Sequence, residues 1–262
     1  MTDPPAPALD DTVDERRFGA LRRLYGEQGY RCLRESRVAV VGLGGVGSWA
    51  AEALARCGVA ALVLVDLDHV AESNINRQVQ ALGATLGQAK AQALRARIAD
   101  IHPGCELHAV EAFVEGDNWP ALLPTAVDGL VDACDQVRAK ATLAAWAIAN
   151  KSAVVCAGAA GGKVAAQRVE IDDLGAVTHD PLLASLRQRL RRDGVASRQG
   201  RIGLRCVFSR EAVAGTDAAD GARAPGMPLA CHGYGSSVAV TATFGMVAAG
   251  EVIAQLLSRR RV

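Results

Sequence analysis

Aromatic residues make up only 4% of this 262-residue chain, and no Cys-x-x-Cys pair, internal repeat or signal peptide is visible in it. The hydrophobic half is mostly Ala, Val and Leu, small residues suited to helices packed closely on a sheet. With 29 basic against 28 acidic residues the net charge is +1, which excludes a global field for nucleic acid and leaves only a local patch. Seven cysteines (32, 57, 105, 134, 156, 206 and 231), odd in number and without metal-ligand spacing, exclude a zinc ribbon and fit a reducing cytoplasm. The apolar segment Ser237–Leu257 is interrupted by Thr241, Thr243, Gly245, Gly250 and Glu251, so it falls short of a membrane span. It is expected to be a buried helix, with peripheral membrane attachment as the alternative. No Ser-His-Asp arrangement is discernible, and His69, His102, His108 and His179 are expected to face solvent.

What is present is concentrated between Arg37 and Gln78. Val38–Val41 is a β-branched run without a polar residue, the pattern of a buried parallel strand. Gly42, Gly44 and Gly47, with Gly45 between them, then form G-x-G-x-x-G ahead of a helix opening at Ser48. Glycine is required where a tight turn brings backbone against a phosphate, and the helix N-terminus adds unpaired N–H groups for an anion. Ala61–Val65 is a second strand ending at Asp66, placed to hold ribose hydroxyls. A G-x-G-x-x-G in this strand–turn–helix–strand–Asp context points to an adenosine nucleotide on a doubly wound sheet.

Asp66 and Asp68 are followed by Ser73-Asn74-Ile75-Asn76-Arg77-Gln78 and then by Gly87-Gln88-Ala89-Lys90 opening a helix. Two carboxylates, amides, a guanidinium and an ammonium thus gather on the phosphate side of the glycine loop. A redox dinucleotide needs no such cluster, whereas a triphosphate being cleaved does. An NAD-dependent oxidoreductase, or a nucleotide-binding scaffold without chemistry, is disfavoured on that ground. The pattern D-x-D-x-V-x-x-S-N-x-N-R-Q…G-x-x-K resembles the ThiF/MoeB/E1-like adenylating superfamily.

Further along, helices are expected at Glu15–Tyr25, Ser48–Cys57, Ala89–Ile101 and Arg138–Asn150, and strands at Glu106–Glu111, Gly129–Asp132 and Ala153–Gly158. This alternation predicts an α/β, Rossmann-like fold with a mainly parallel sheet. The C-terminal part, with Val164–Ile171 and Leu204–Ser209, is expected to extend the sheet by antiparallel strands. Residues 1–14 are expected to be a disordered tail and 15–262 one domain, with a nucleotide-binding core at about 37–160 and a substrate-facing part at about 161–262. Asp180–Arg192 is a helix with Pro181 in its first turn. From Arg187 to Arg205 there are seven arginines and one acidic residue, Asp193, a run equally suited to a solvated face and to phosphate-backbone contact. Arg210–Pro228 is expected to be a mobile loop.

Over Arg16–Leu257 the chain resembles the tRNA threonylcarbamoyladenosine dehydratase branch of the superfamily. The markers are Arg17-Phe18-Gly19, Arg23-Leu24-Tyr25-Gly26, GGVGSWAAEALAR, Ala159-Ala160-Gly161-Gly162, Asp180-Pro181-Leu182, Cys206-Val207-Phe208-Ser209 and Val240-Thr241-Ala242-Thr243-Phe244-Gly245. The resemblance implies ATP-dependent adenylation of the threonyl carboxylate of N6-threonylcarbamoyladenosine in the anticodon loop, followed by ring closure with net loss of water. It implies ATP and Mg²⁺, with Asp135 on the metal, Arg77 and Asn74 at the α-phosphate and Lys90 at the leaving pyrophosphate. Gly42, Gly44, Gly45, Gly47, Asp66, Asp68, Ser73 and Asn76 complete the nucleotide site. It also implies a homodimer in which Arg23, with Arg17 as the competing choice, reaches the partner's triphosphate. Cys231, beside His232, is open between a transient thioester and a substrate-lining role. The tRNA would be met by Arg187, Arg189, Arg191, Arg192, Arg198 and Arg201, and no DNA partner is implied. A monovalent cation (K⁺ or Na⁺) and a sulfur-transfer protein are left open. The runner-up is adenylation of a sulfur-carrier protein C-terminus, although many such enzymes carry zinc-binding cysteine pairs that are missing here.

Overall fold

The computed structural model describes residues 11–212 and 234–259. Seven strands form one sheet in the order β3-β2-β1-β4-β5-β7-β6. These are β1 (Arg37–Val41), β2 (Ala61–Val65), β3 (Glu106–Val110), β4 (Gly129–Asp132), β5 (Ala153–Ala157), β6 (Val169–Asp173) and β7 (Arg205–Ser209). Helices α1 (Asp11–Glu35), α2 (Gly47–Arg56), α3 (Lys90–Ile101), α4 (Val137–Asn150), α5 (Pro181–Arg192) and α6 (Val238–Arg259) cover it. The apolar runs in β1, β2, β4 and β5 are buried on both faces, as strands between two helical layers require.

Two expectations are corrected. Of the C-terminal strands only β6 is antiparallel; β7 pairs parallel to β5, so six of the seven strands run the same way. The connection from β5 passes through the edge strand β6 and α5 before β7 inserts between them, a route invisible to local pattern. Helix α1 begins at Asp11, inside the segment expected to be disordered, and extends to Glu35 with a break at Gly26 (φ 73°). Asp14 is held by an ion pair to Arg34, and Phe18, Tyr30 and Leu33 are buried. Residues 1–10 of the expected tail lie outside the described residues.

Helix α6 is the one described helix long and apolar enough to cross a membrane. Its stripe Val240, Phe244, Ala248, Val252 and Leu256 is buried in the same core as β1, β2 and α2. Gly245 permits that approach, because a Cβ there would stand 2.5 Å from the Val46 carbonyl oxygen and 2.8 Å from Trp49 Cβ. The hydrophobic face of α6 is therefore used internally.

His102, expected at the surface, is fully buried. Its Nε2 lies 2.7 Å from Arg34 Nη1 and its ring packs edge-on against Phe18. Burial, with Arg34 and Arg17 adding repulsion, pushes its pKa down to about 4. Above pH 6.5 the imidazole is neutral in both states; as pH falls towards 4 the unfolded chain takes up a proton that the folded chain refuses. This residue should thus cost about 3 kcal/mol of stability by pH 4. Urea titrations of wild type and His102→Gln at pH 7.5, 5.5 and 4.5 should show the wild type losing more stability than the variant on acidification.

Candidate active site

A cavity of about 530 Å³ opens beyond the C-terminal ends of β1, β2, β4 and β5. The parallel strands deliver Gly42, Asp66, Ala133-Cys134-Asp135 and Gly158 to one edge of the sheet, where ligands of such folds sit.

The glycine loop is clamped through one peptide group on each side of Leu43. Leu43 N–H donates to Asp66 Oδ2 (2.6 Å), while the Leu43 carbonyl accepts from Gln80 Nε2 (2.9 Å). Gly42 has φ 86°, a left-handed conformation that an L side chain resists. At Gly47 a Cβ would lie 1.8 Å from the Gly42 carbonyl oxygen, so the third glycine serves packing of the helix on the strand and does not line the cavity. Gly44 and Gly45 do line it; a Cβ on Gly44 would meet only open space, and one on Gly45 would crowd Arg77 and Thr241.

Asp66 also accepts from Asp68 N–H (2.8 Å), so both its oxygens organise backbone beside any ribose contact. Burial raises its pKa, with Lys90 and the two N–H donors acting in the opposite sense. Lys90, the first residue of α3, is buried and pairs through Nζ with Asp68 Oδ2 at 2.7 Å. Ser73, Asn74 and Arg77 line the cavity together. Asn74 Oδ1 caps its own turn by accepting from Ala71 N–H (3.1 Å), which leaves its amide NH₂ as the group free for a ligand. Arg77 Nη1 is anchored on the Ser73 carbonyl (2.7 Å) and on Asn76 Oδ1 (3.0 Å). Asn76, expected on the nucleotide, lies outside the lining and donates to the Ser236 carbonyl (2.8 Å).

On the opposite wall, Asp135 is exposed and Cys134 reaches the cavity. Burial and the neighbouring Asp132 carboxylate push the Cys134 thiol well up, which favours the thiol over the thiolate. Behind this wall Asp132 and Lys140 form a fully buried ion pair (3.2 Å), and Asp132 Oδ1 accepts from Cys134 N–H (3.1 Å). Asp180 caps α5 by accepting from Leu183 N–H and grips the loop after β5 through Ala159 N–H, both at 2.9 Å. Lys163 closes that loop, its ammonium donating to the carbonyls of His179 (3.3 Å), Ser209 (3.4 Å) and Glu211.

Several contributors carry no signal in the sequence. Phe113, 46% exposed, offers an apolar surface to the cavity, and His69, Tyr234 and Ser236 also line it. Only Asp180-Pro181 leaves a local mark, as a helix start. Arg23 is exposed and outside the lining. Its rival Arg17 is committed elsewhere, donating to the carbonyls of Asp100 (2.9 Å) and Ile101 (2.7 Å) at the end of α3. Cys231 and His232 lie outside the described residues, as do residues 213–228 of the expected loop.

The signature of the ThiF family matches residues 18–262. The chain belongs to the ThiF family. Among curated proteins it is 41% identical over 253 residues to the tRNA threonylcarbamoyladenosine dehydratase of Escherichia coli K12, covering 93% of this chain and 94% of that one. A crystal structure of the E. coli enzyme, TcdA, in complex with ATP superposes with a TM-score of 0.87 at 38% identity, over 97% of this chain and 99% of that one. A complex of the same enzyme with AMP gives 0.87 at 37% identity over the same shares.

In this ThiF-family chain the buried Asp132–Lys140 pair should govern the wall that carries Asp135. Lys140→Met leaves a carboxylate buried and unpaired and should cost about 3–5 kcal/mol in urea denaturation. The double change Asp132→Leu/Lys140→Met should recover part of that loss while still weakening nucleotide binding, since Cys134 N–H loses its acceptor.

Proposed function

We propose that this protein is an ATP-dependent tRNA threonylcarbamoyladenosine dehydratase. It adenylates the threonyl carboxylate of N6-threonylcarbamoyladenosine in tRNA, and the tethered carbamoyl group closes the ring to give cyclic t6A. The observation that carries this reading is the end-to-end likeness to a protein of that name whose ATP and AMP complexes share this fold. AMP is what remains when a triphosphate is cleaved between its α- and β-phosphorus atoms.

The chemistry divides among the residues of the cavity. Gly44, Gly45 and the Asp66-tethered loop offer backbone to the phosphates and ribose. Attack by the carboxylate on the α-phosphorus builds negative charge on its oxygens, which the planar donor fork of Arg77 and the Asn74 amide neutralise. Lys90, held by Asp68 until a phosphate replaces that partner, follows the charge onto departing pyrophosphate. Asp135 would hold Mg²⁺, which suits one carboxylate completed by phosphate oxygens and water and supplies further charge neutralisation when bound. The carbamoyl nitrogen then attacks the activated carbon; the ring C–N bond forms as the acyl C–O bond to AMP breaks, and the nitrogen gives up its proton to solvent. Because nucleophile and electrophile are tethered, no external thiol is needed. This reading requires no thioester at Cys231.

Arg23 belongs to the site of the neighbouring subunit in a homodimer. Of the six arginines expected on tRNA, three serve the fold first. Arg187 donates to the carbonyls of Leu174 and Val177, Arg191 to those of Ser197 and Gly200, and Arg189 pairs with Asp193. Arg192 pairs with Asp193 (3.1 Å) and Arg201 stands 4.0 Å from Asp173, but both side chains remain exposed; with the exposed Arg198 they are the phosphate contacts we assign.

Purified protein with ATP, Mg²⁺ and threonylcarbamoylated tRNA should release AMP and pyrophosphate, and the nucleoside should lose the mass of one water. Formation of ADP, or pyrophosphate exchange driven instead by a diglycine-tailed carrier protein, would overturn the assignment. Arg77→Ala should lower kcat about 10²–10³-fold. Mixing Arg23→Ala with Arg77→Ala subunits should restore about a quarter of wild-type activity, since half the dimers regain one of two sites; absence of recovery would refute the shared site.

A further inference from the structure

Tyr234, Gly235 and Ser236 form a short bridge between the two halves of the cavity, with Tyr234 and Ser236 on its lining. The bridge is tied down at both ends. The Gly235 carbonyl accepts from Gly162 N–H (3.0 Å), which joins it to the loop after β5. The Ser236 carbonyl accepts from Asn76 Nδ2 (2.8 Å), which joins it to the phosphate side. The same carboxamide accepts, through Oδ1, from Arg77 Nη1 (3.0 Å). One planar group with a donor and an acceptor thus connects the guanidinium at the phosphates with the wall at the other end of the cavity. The backbone here is fixed as well, since the Arg77 carbonyl accepts from Trp49 Nε1 (3.0 Å).

We propose that Asn76 is a positioning residue that sets Arg77 and the Tyr234-Gly235-Ser236 bridge at a fixed separation, so that the carboxylate and the α-phosphorus meet in line. This rests on the adenylation reading above. Arg77 keeps the Ser73 carbonyl when Asn76 is removed, so the guanidinium stays in the cavity but loses the contact that fixes its rotation. A displacement of about 1 Å at a reacting centre costs up to 10²-fold in rate. At this position Asp retains the acceptor but sets a negative charge against a carbonyl, and Ala retains neither function.

Three measurements on Asn76→Ala and Asn76→Asp test this. Steady-state AMP release with modified tRNA should show kcat reduced about 10- to 100-fold in Asn76→Ala, with KM for ATP within about twofold of wild type. Asn76→Asp should retain more of kcat than Asn76→Ala, because Arg77 keeps its acceptor. Hydrogen exchange of the amides of residues 234–241 should accelerate about tenfold in both variants. Unchanged exchange in both, or a loss confined to KM for ATP, would overturn the proposal, the second outcome returning Asn76 to the nucleotide. If wild type itself releases no AMP with this tRNA, the adenylation reading fails, and the exchange measurement alone decides whether Asn76 holds the bridge. Asn76 is exposed, so both variants should keep the wild-type Tm.

Discussion

The site depends first on a carboxylate used as a backbone clamp. Asp66 takes the N–H of Leu43 with one oxygen and the N–H of Asp68 with the other, which joins the glycine loop to the chain leaving β2. That chain positions Asp68, and Asp68 holds Lys90. Removing the Asp66 carboxylate would free the loop, the second acid and the lysine together. Because the group is buried, its charge is costly; two N–H donors and the ammonium of Lys90 offset that cost. A ligand bringing negative phosphate towards Lys90 would therefore weaken one of the supports of Asp66.

The second constraint comes from the C-terminal half, which supplies no part of the glycine motif yet forms much of the cavity. Asp180 fixes the loop after β5 from the start of α5, and Gly162 and Asn76 hold Gly235 and Ser236 from opposite sides. Helix α6, which follows directly, takes the chain into the core against α2, where Gly245 removes the clash with Trp49. The long apolar segment thus anchors the substrate-side wall to the helix that opens from the nucleotide loop.

What the sequence discloses follows from how far apart the partners lie. The gathering of the glycine loop, Asp66, Arg77 and Lys90 is legible because all four fall within about fifty residues, on the β1–turn–α2–β2 unit and on the loop and helix start that directly follow it. Gln80 on Leu43 and Ser236 on Asn76 are not, since the partners lie 37 and 160 residues apart and neither contact leaves a local pattern. Adjacency to Arg77 points Asn76 at the nucleotide, although neighbouring residues of a turn project in different directions. Nothing in the periodicity around His102 signals burial, yet Arg34 and Phe18 bury it. The arginine run shows the converse: composition alone does not separate Arg187 and Arg191, which satisfy backbone carbonyls, from Arg192, Arg198 and Arg201.

Strand direction has a consequence for the size of the substrate. Pro181 and Leu182, at the start of α5, line the cavity, whereas Arg192 ends the same helix. Twelve residues of α-helix place those ends about 17 Å apart. Arg201 lies near the start of β7, and β7 runs parallel to β5, so this turn sits at the edge of the sheet opposite the cavity. Asp173 secures it there by accepting from Ile202 N–H (2.8 Å) and Gly203 N–H (2.7 Å), and these bonds hold its carboxyl below the usual range. A free nucleoside in the cavity could not touch these guanidinium groups. A ligand that engaged both ends of the helix would have to span about 17 Å, farther than a single nucleoside reaches.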